Sequence, residues 1–118
     1  LLSESDLAQL RFHVGSMDLA IESGLITKYD DIQREFHSAY TQRCGNARLI
    51  TLIEQMERYF IKRDYSAVEQ ATAQELLRKA NAEHRRILEL IEAKDAEGVR
   101  SYVRDTHWNI ENAPFTVW

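Results

Sequence analysis

Apolar residues recur at intervals of three and four along most of the chain, the spacing of one face of an α-helix. Ser3 to Asp6 has the form of a capping box, with Ser3 or Ser5 as the cap. Leu7, Leu10, Val14, Met17 and Ile21 then share one face, and Gly24 is suited to end the helix. A second helix is predicted from about Lys28 to Arg43, with Ile32, Phe36, Ala39 and Tyr40 as its apolar set. Cys44-Gly45-Asn46 breaks it. Asn46 can cap a third helix, about Ala47 to Arg63, whose stripe is Leu49, Ile50, Leu52, Ile53, Met56, Tyr59 and Phe60. Asp64 to Gln70 is polar and reads as a loop. Thr72 is expected to cap a long fourth helix to about Ala93, with Leu77, Ala80, His84, Leu88 and Ile91 along one side. Asp95 can cap the last helix, about Ala96 to Glu111, with Val99, Val103 and Ile110 inward. Asn112, Ala113 and Pro114 stop it, and the tail Phe115 to Trp118 is apolar enough to dock on the bundle or on a partner. No segment reads convincingly as a strand. The expected fold is all-α, an antiparallel bundle of about five helices forming a single domain over residues 1–118.

Composition narrows the class. A chain of 118 residues fits one domain with one core. Hydrophobic residues at 44% and charged residues at 29% place it among folded globular proteins rather than disordered ones. A net charge of -4 argues against this chain gripping nucleic acid by itself, which takes concentrated Lys and Arg. No apolar run reaches the roughly 18 residues of a membrane span. No signal peptide is visible, and the single Cys44 cannot form an internal disulfide. A cytoplasmic protein with no membrane partner is expected. The chain begins on Leu1 rather than Met, as a fragment of a longer protein would.

The candidate chemistry is carried by histidines. His37, His84 and His107 each fall on the apolar side of a different predicted helix. Gln33 lies one turn before His37 and shares its face. Neutral imidazoles are good ligands for zinc, nickel and similar ions, and three of them leave positions open for a small carboxylate. The plainer alternative is three core histidines bonded to carbonyls or water. His13, between Phe12 and Val14, is off the main stripe and expected to face solvent. Glu83 and His84 are adjacent, so they point about 100° apart and do not face one site. Cys44 reads as a small buried residue. Tyr40 and Arg86 are further candidates for ligand contact. Glycine-rich phosphate loops, C-x-x-C, G-x-S-x-G and H-E-x-x-H are all missing.

An ordered set of motifs adds to this. Phe36-His37, then Cys44-Gly45-Asn46-Ala47-Arg48-Leu49, then Glu83-His84-Arg85-Arg86-Ile87-Leu88 with Asp95 beyond, resemble the ligand-binding FCD domain of GntR-type transcription regulators of the FadR subgroup. The resemblance runs from about Asp6 to His107. It implies a helical bundle that binds a small effector, often a carboxylate and in some members an acyl-CoA. It also implies a preceding winged helix-turn-helix domain, absent from this chain, that reads DNA as a homodimer. Many members hold a divalent metal (zinc, nickel or manganese here) through an Asp and three His. His37 and His84 match two of those histidines. The family Asp is Gln33 in this chain. The last family His aligns without a gap with Thr106, and His107 stands one place late; both border the Val99, Val103, Ile110 stripe, so a small bulge or rotation could bring His107 in.

These residues support an effector-sensing regulatory domain that is not an enzyme. Gln33, His37, Tyr40, His84, Arg86 and His107 are the expected ligand contacts, and His37, His84 and His107 the expected metal ligands. Two rivals are a small metal-dependent helical enzyme, for which no carboxylate stands in register as general base, and a ligand-free helical dimerisation module.

Overall fold

The computed structural model describes residues 2–60, 62–63, 69–108 and 116–117, with side chains described for 2–55 and 69–108. The fold is all-α. Its helices are α1 (Glu4–Glu22), α2 (Ile26–Thr41), α3 (Ala47–Phe60), α4 (Gln70–Glu92) and α5 (Ala96–Tyr102). A 3-10 turn (Gln42–Cys44) follows α2, and one turn of π-helix (Val103–His107) follows α5.

The caps are set by the residues whose spacing announced them. Ser3 Oγ accepts from the Asp6 N–H at 3.1 Å, while the Ser3 N–H donates back to Asp6 Oδ2 at 2.7 Å. Asn46 Oδ1 accepts from the Leu49 N–H at 3.1 Å, and Asp95 Oδ1 from the Gly98 N–H at 2.8 Å. At the end of α1, the Leu25 N–H reaches Ala20 O at 2.8 Å and the Gly24 N–H reaches Ile21 O at 3.1 Å. This 6→1 and 5→2 pattern needs a left-handed residue, and Gly24 supplies it at φ 70°. The end of α4 repeats the pattern through Asp95 N–H to Leu90 O (3.0 Å) and Lys94 N–H to Ile91 O (2.9 Å). There the left-handed residue is Lys94, at φ 57°.

Ion pairs fix the direction of each helix against α1. Arg11 with Glu92, Asp18 with Arg85 and Glu22 with Arg78 run in opposite order along α1 and α4. Asp6 with Arg43 and His13 with Glu35 do the same for α1 and α2. Both pairs of helices are therefore antiparallel. The pairs with α4 are exposed to solvent and add little stability, so burial of apolar surface is the main stabilising term. Leu10, Val14, Met17, Ala20 and Ile21 of α1 close over Tyr29 and Phe36 of α2 and over Leu77, Ile87 and Leu88 of α4. Two side-chain amides of α4 also reach α1 carbonyls: Gln74 to Ile21 O at 2.8 Å and Asn81 to Val14 O at 3.2 Å.

Several expectations are corrected. His13 is buried, not solvent-facing, because α1 packs against both α2 and α4 and its buried face is wider than one stripe. Cys44 is exposed at the 3-10 turn. Thr72 lies within α4, which begins two residues earlier with Glu69 at the N-cap. The third helix ends at Phe60, short of Arg63: Lys62–Arg63 pair antiparallel with Thr116–Val117 as two-residue strands β1 and β2. Thr and Val suit an extended backbone. The expected α3 stripe is not wholly inside, since Leu49 and Leu52 are about half exposed. The predicted inward positions Met56, Tyr59, Phe60 and Ile110, the stop at Asn112 to Pro114, and Phe115 and Trp118 of the tail lie outside the described side chains.

Two stability measurements follow. A left-handed non-glycine residue costs roughly 1–2 kcal/mol, of which glycine's larger unfolded-state entropy returns about 0.5–1. Lys94→Gly is therefore expected to raise unfolding free energy by about 0.5–1 kcal/mol in denaturant titrations; a loss would contradict the left-handed cap. The Ser3 N–H, the Ser3 hydroxyl and then Arg43 pull the Asp6 carboxyl down to about 2. A carboxyl more acidic folded than unfolded stabilises above its unfolded pKa, about 3.9 for Asp, and loses that contribution as pH falls toward the folded value. The melting-temperature gap between the parent and Asp6→Asn should be present at neutral pH and close as pH falls from about 4 to 2.

Candidate functional site

Three imidazoles meet in the interior. His37 comes from α2, His84 from α4 and His107 from the π turn, and all three are buried. Phe36, fully buried, packs against two of them, with ring centroids 5.4 Å from His37 and 5.1 Å from His84. His37 Nε2 lies 3.2 Å from His84 Nε2 and 3.1 Å from His107 Nε2. One nitrogen from each ring falls within 4.8 Å of the others.

Each opposite nitrogen has its own partner. His37 Nδ1 is 2.7 Å from the Tyr40 hydroxyl, His84 Nδ1 is 3.3 Å from Asn81 Oδ1, and His107 Nδ1 is 3.3 Å from Glu83 Oε1. These partners fix protons. The Asn81 amide nitrogen donates to Val14 O and to Asp18 Oδ1, at 3.2 and 2.7 Å, so its oxygen is left to accept from His84 Nδ1–H. A carboxylate accepts as well, so His107 also carries its proton on Nδ1. The inward Nε2 atoms of His84 and His107 are then acceptors, each facing His37 Nε2. His37 is adjustable: the Tyr40 hydroxyl can donate to its Nδ1, leaving Nε2–H to face the other two rings, or accept from Nδ1–H, leaving a third lone pair.

Converging ring nitrogens suit a positive charge. Three neutral nitrogen donors, each oriented by an outer hydrogen bond, are the usual surroundings of a bound divalent metal in proteins. His37, His84 and His107 could hold such an ion, and the donor set fits zinc or nickel better than manganese, which prefers oxygen.

His107 reaches this place through a local change of helix. The Trp108 N–H donates to Val103 O at 2.8 Å, a bond spanning five residues, as in a π-helix, rather than four. The wider turn absorbs one additional residue. Thr106 is exposed and His107 buried.

The other expected residues stand in different surroundings. Gln33 is buried on α2, one turn before His37. Tyr40 stands behind His37 as its hydrogen-bond partner. Arg86 is at the surface, paired with Glu89 at 3.0 Å. Asn81 and Trp108 are features that the sequence pattern did not single out. The expectation that Glu83 and His84 do not face one site is corrected: Glu83 reaches across to His107, whose ring packs on His84, because the π turn brings that ring to both. The place of Glu83, three after Ala80 and four before Ile87, puts it on the buried edge of α4, a signal the pattern carried. The half-buried Tyr102 hydroxyl is pushed up, first by burial and then by the nearby Glu83 charge. Trp108 lies beside His37 and His107, with centroids 5.7 and 6.5 Å away.

A groove leads to His37. It is lined by Ser38, Thr41 and Gln42, by Ile50, Ile53 and Glu54 of α3, and by Trp108, and it is shallow, with an enclosed volume of about 20 Å3. One wall is apolar and the other carries hydroxyl and amide groups.

Among known protein families, the chain matches the FCD domain over residues 1–106. No curated protein matches it, and no solved structure does.

The π turn can be tested by length. Deleting Arg104 should let an ordinary α-turn carry the same histidine inward. The melting curve should then change no more than for a surface substitution, about 0.5 kcal/mol. Inserting one Ala after Arg104 should expel the ring, leave Glu83 without its partner and cost about 1–3 kcal/mol. Equal losses from both changes would show that the turn is not the adjustable element.

Proposed function

Because this chain belongs to the FCD-domain family, the C-terminal effector-binding domain of GntR-family regulators, we propose that its three-histidine cluster senses a small carboxylate effector together with a divalent cation. The FCD domain is a regulatory domain of transcription factors and not an enzyme family. The observation that carries the reading is the convergence of three imidazole Nε2 atoms whose Nδ1 atoms are already engaged by Tyr40, Asn81 and Glu83.

His37, His84 and His107 would hold the ion. Bound there, it would supply a fixed positive charge that attracts a carboxylate. The three imidazoles are neutral donors, and Gln33 adds no charge where a carboxylate could have stood. The positive charge would therefore be left for an anionic ligand to neutralise. The groove at His37 offers that ligand an approach. Ile50, Ile53 and Trp108 would cover its apolar part, and Ser38, Thr41 and Gln42 would hydrogen-bond its oxygens. Glu54 in the wall disfavours a second negative charge at that end.

Regulation follows from linkage. A ligand that binds one arrangement of α2, α4 and the π turn more tightly shifts the population toward it. In the whole regulator that shift would change how a separate DNA-reading winged-helix domain, working as a homodimer, engages its operator. A cytoplasmic location accords with this role. Among the described residues, no helix is long and apolar enough to cross a membrane.

The test is elemental analysis of untagged protein beside a His37→Ala, His84→Ala double variant, followed by melting curves with nickel or zinc and with acetate, lactate, succinate or benzoate. About one metal equivalent in the parent and little in the variant is expected. A carboxylate should raise the melting temperature of the metal-loaded parent, by about 2.7 kcal/mol in stability at a hundred times its dissociation constant. A parent that takes up no metal and responds to no carboxylate would sink the reading.

A further inference from the structure

We propose that Glu83 is a positioning residue for the cluster: its carboxylate fixes the tautomer and orientation of His107, and so decides whether that ring presents a lone pair inward. The proposal rests on the cation-binding reading above for its consequence, but not for its geometry.

Three observations support it. Glu83 is buried on α4, and a buried carboxylate is costly unless a donor satisfies it. The donor is His107 Nδ1, 3.3 Å from Oε1. Of the three groups that back the imidazoles, Tyr40, Asn81 and Glu83, it alone is a carboxylate. Second, His107 is the ring with the least support from its own element. His37 and His84 sit in helices of 16 and 23 residues, whereas His107 ends a single π turn of five. A hydrogen bond from α4 therefore ties the last ligand-bearing segment to the helix that carries His84. Third, the bond selects a proton position. Nδ1–H donating to Glu83 leaves His107 Nε2 as an acceptor, 3.1 Å from His37 Nε2. Without an acceptor at that place the proton is free to sit on Nε2 and block it.

Carboxylates behind metal-bound histidines typically change metal affinity by about 10–100-fold when removed. Two variants separate charge from acceptor. Glu83→Met keeps the side chain's length and removes the acceptor. Glu83→Gln keeps an acceptor oxygen and removes the charge.

The experiment has two readouts. Imidazole nitrogen NMR on metal-free protein reports which nitrogen of His107 is protonated. Chelator competition with nickel reports affinity. In the parent, His107 should carry its proton on Nδ1. Glu83→Met should lose that preference and bind nickel about 10–100-fold more weakly, with Glu83→Gln in between. In a His107→Ala background the Glu83→Met change should weaken nickel binding little further, because Glu83 acts through that ring. A parent His107 protonated on Nε2 would overturn the proposal, as would unchanged nickel affinity in Glu83→Met or the same loss with and without His107. If the parent binds no nickel at all, the cation reading fails, and the tautomer of His107 alone decides the role of Glu83. Should Glu83→Met not fold, Glu83→Gln carries both measurements.

Discussion

Three imidazole nitrogens facing one another inside a helical bundle are a demanding arrangement. Buried polar atoms are costly when left without a partner, and lone pairs pointed at one another repel. The surrounding residues answer the first demand by engaging every outward ring nitrogen. They leave the second to whatever positive charge enters, or to the one proton that His37 can turn inward. Much of the polar design of the interior follows from this. Asn81 is held by Val14 O and Asp18, and Asp18 also pairs with Arg85 at 2.6 Å. A continuous line therefore runs from the surface of α1 through Asn81, His84, His37 and His107 to Glu83. Networks of this kind are rigid when complete and weak when one member is missing.

The bundle supplies what the network cannot, which is fixed distance. α1 lies between α2 and α4, and its apolar residues set how far apart those two helices stand. Phe36 fills the space directly against His37 and His84, so the rings rest on a packed surface rather than on a loop. The ion pairs along the two seams of α1 add little energy, but they define which residue faces which. A shift of one helix by a turn would separate Asp18 from Arg85 and Glu22 from Arg78 together, and would carry His84 away from His37.

Much of this was legible in the sequence where one helix decides the outcome. Ser3, Asn46 and Asp95 cap as their spacing announces, because capping is local. Phe36, His37 and His84 lie inward because each belongs to an unbroken period. Reading failed where two helices decide. His13 looked peripheral on a single stripe and is buried because α1 has neighbours on two sides. Leu49 and Leu52 looked internal, yet α3 has too little packed against it among the described residues to cover them. Glu83 was set aside because it could not share a face with His84; its partner lies on another element, 24 residues away, and no helical period connects them. The need for some irregularity before His107 could be read from the offset at Thr106, but its form, a π turn, could not.

That turn has a consequence for comparing this chain with others. A column-by-column comparison assumes that equal numbers of residues mean equal positions in space. Within Val103–His107 that assumption is unsafe, since the turn is wider than an α-turn and takes up five residues per hydrogen-bonded step. Read in columns, the chain offers Thr106 at the place of a ligand and would be scored as having lost it. Read in space, the imidazole is present and buried. A gap placed inside the turn, between Val103 and His107, would set this buried imidazole against the histidine that the family resemblance expects.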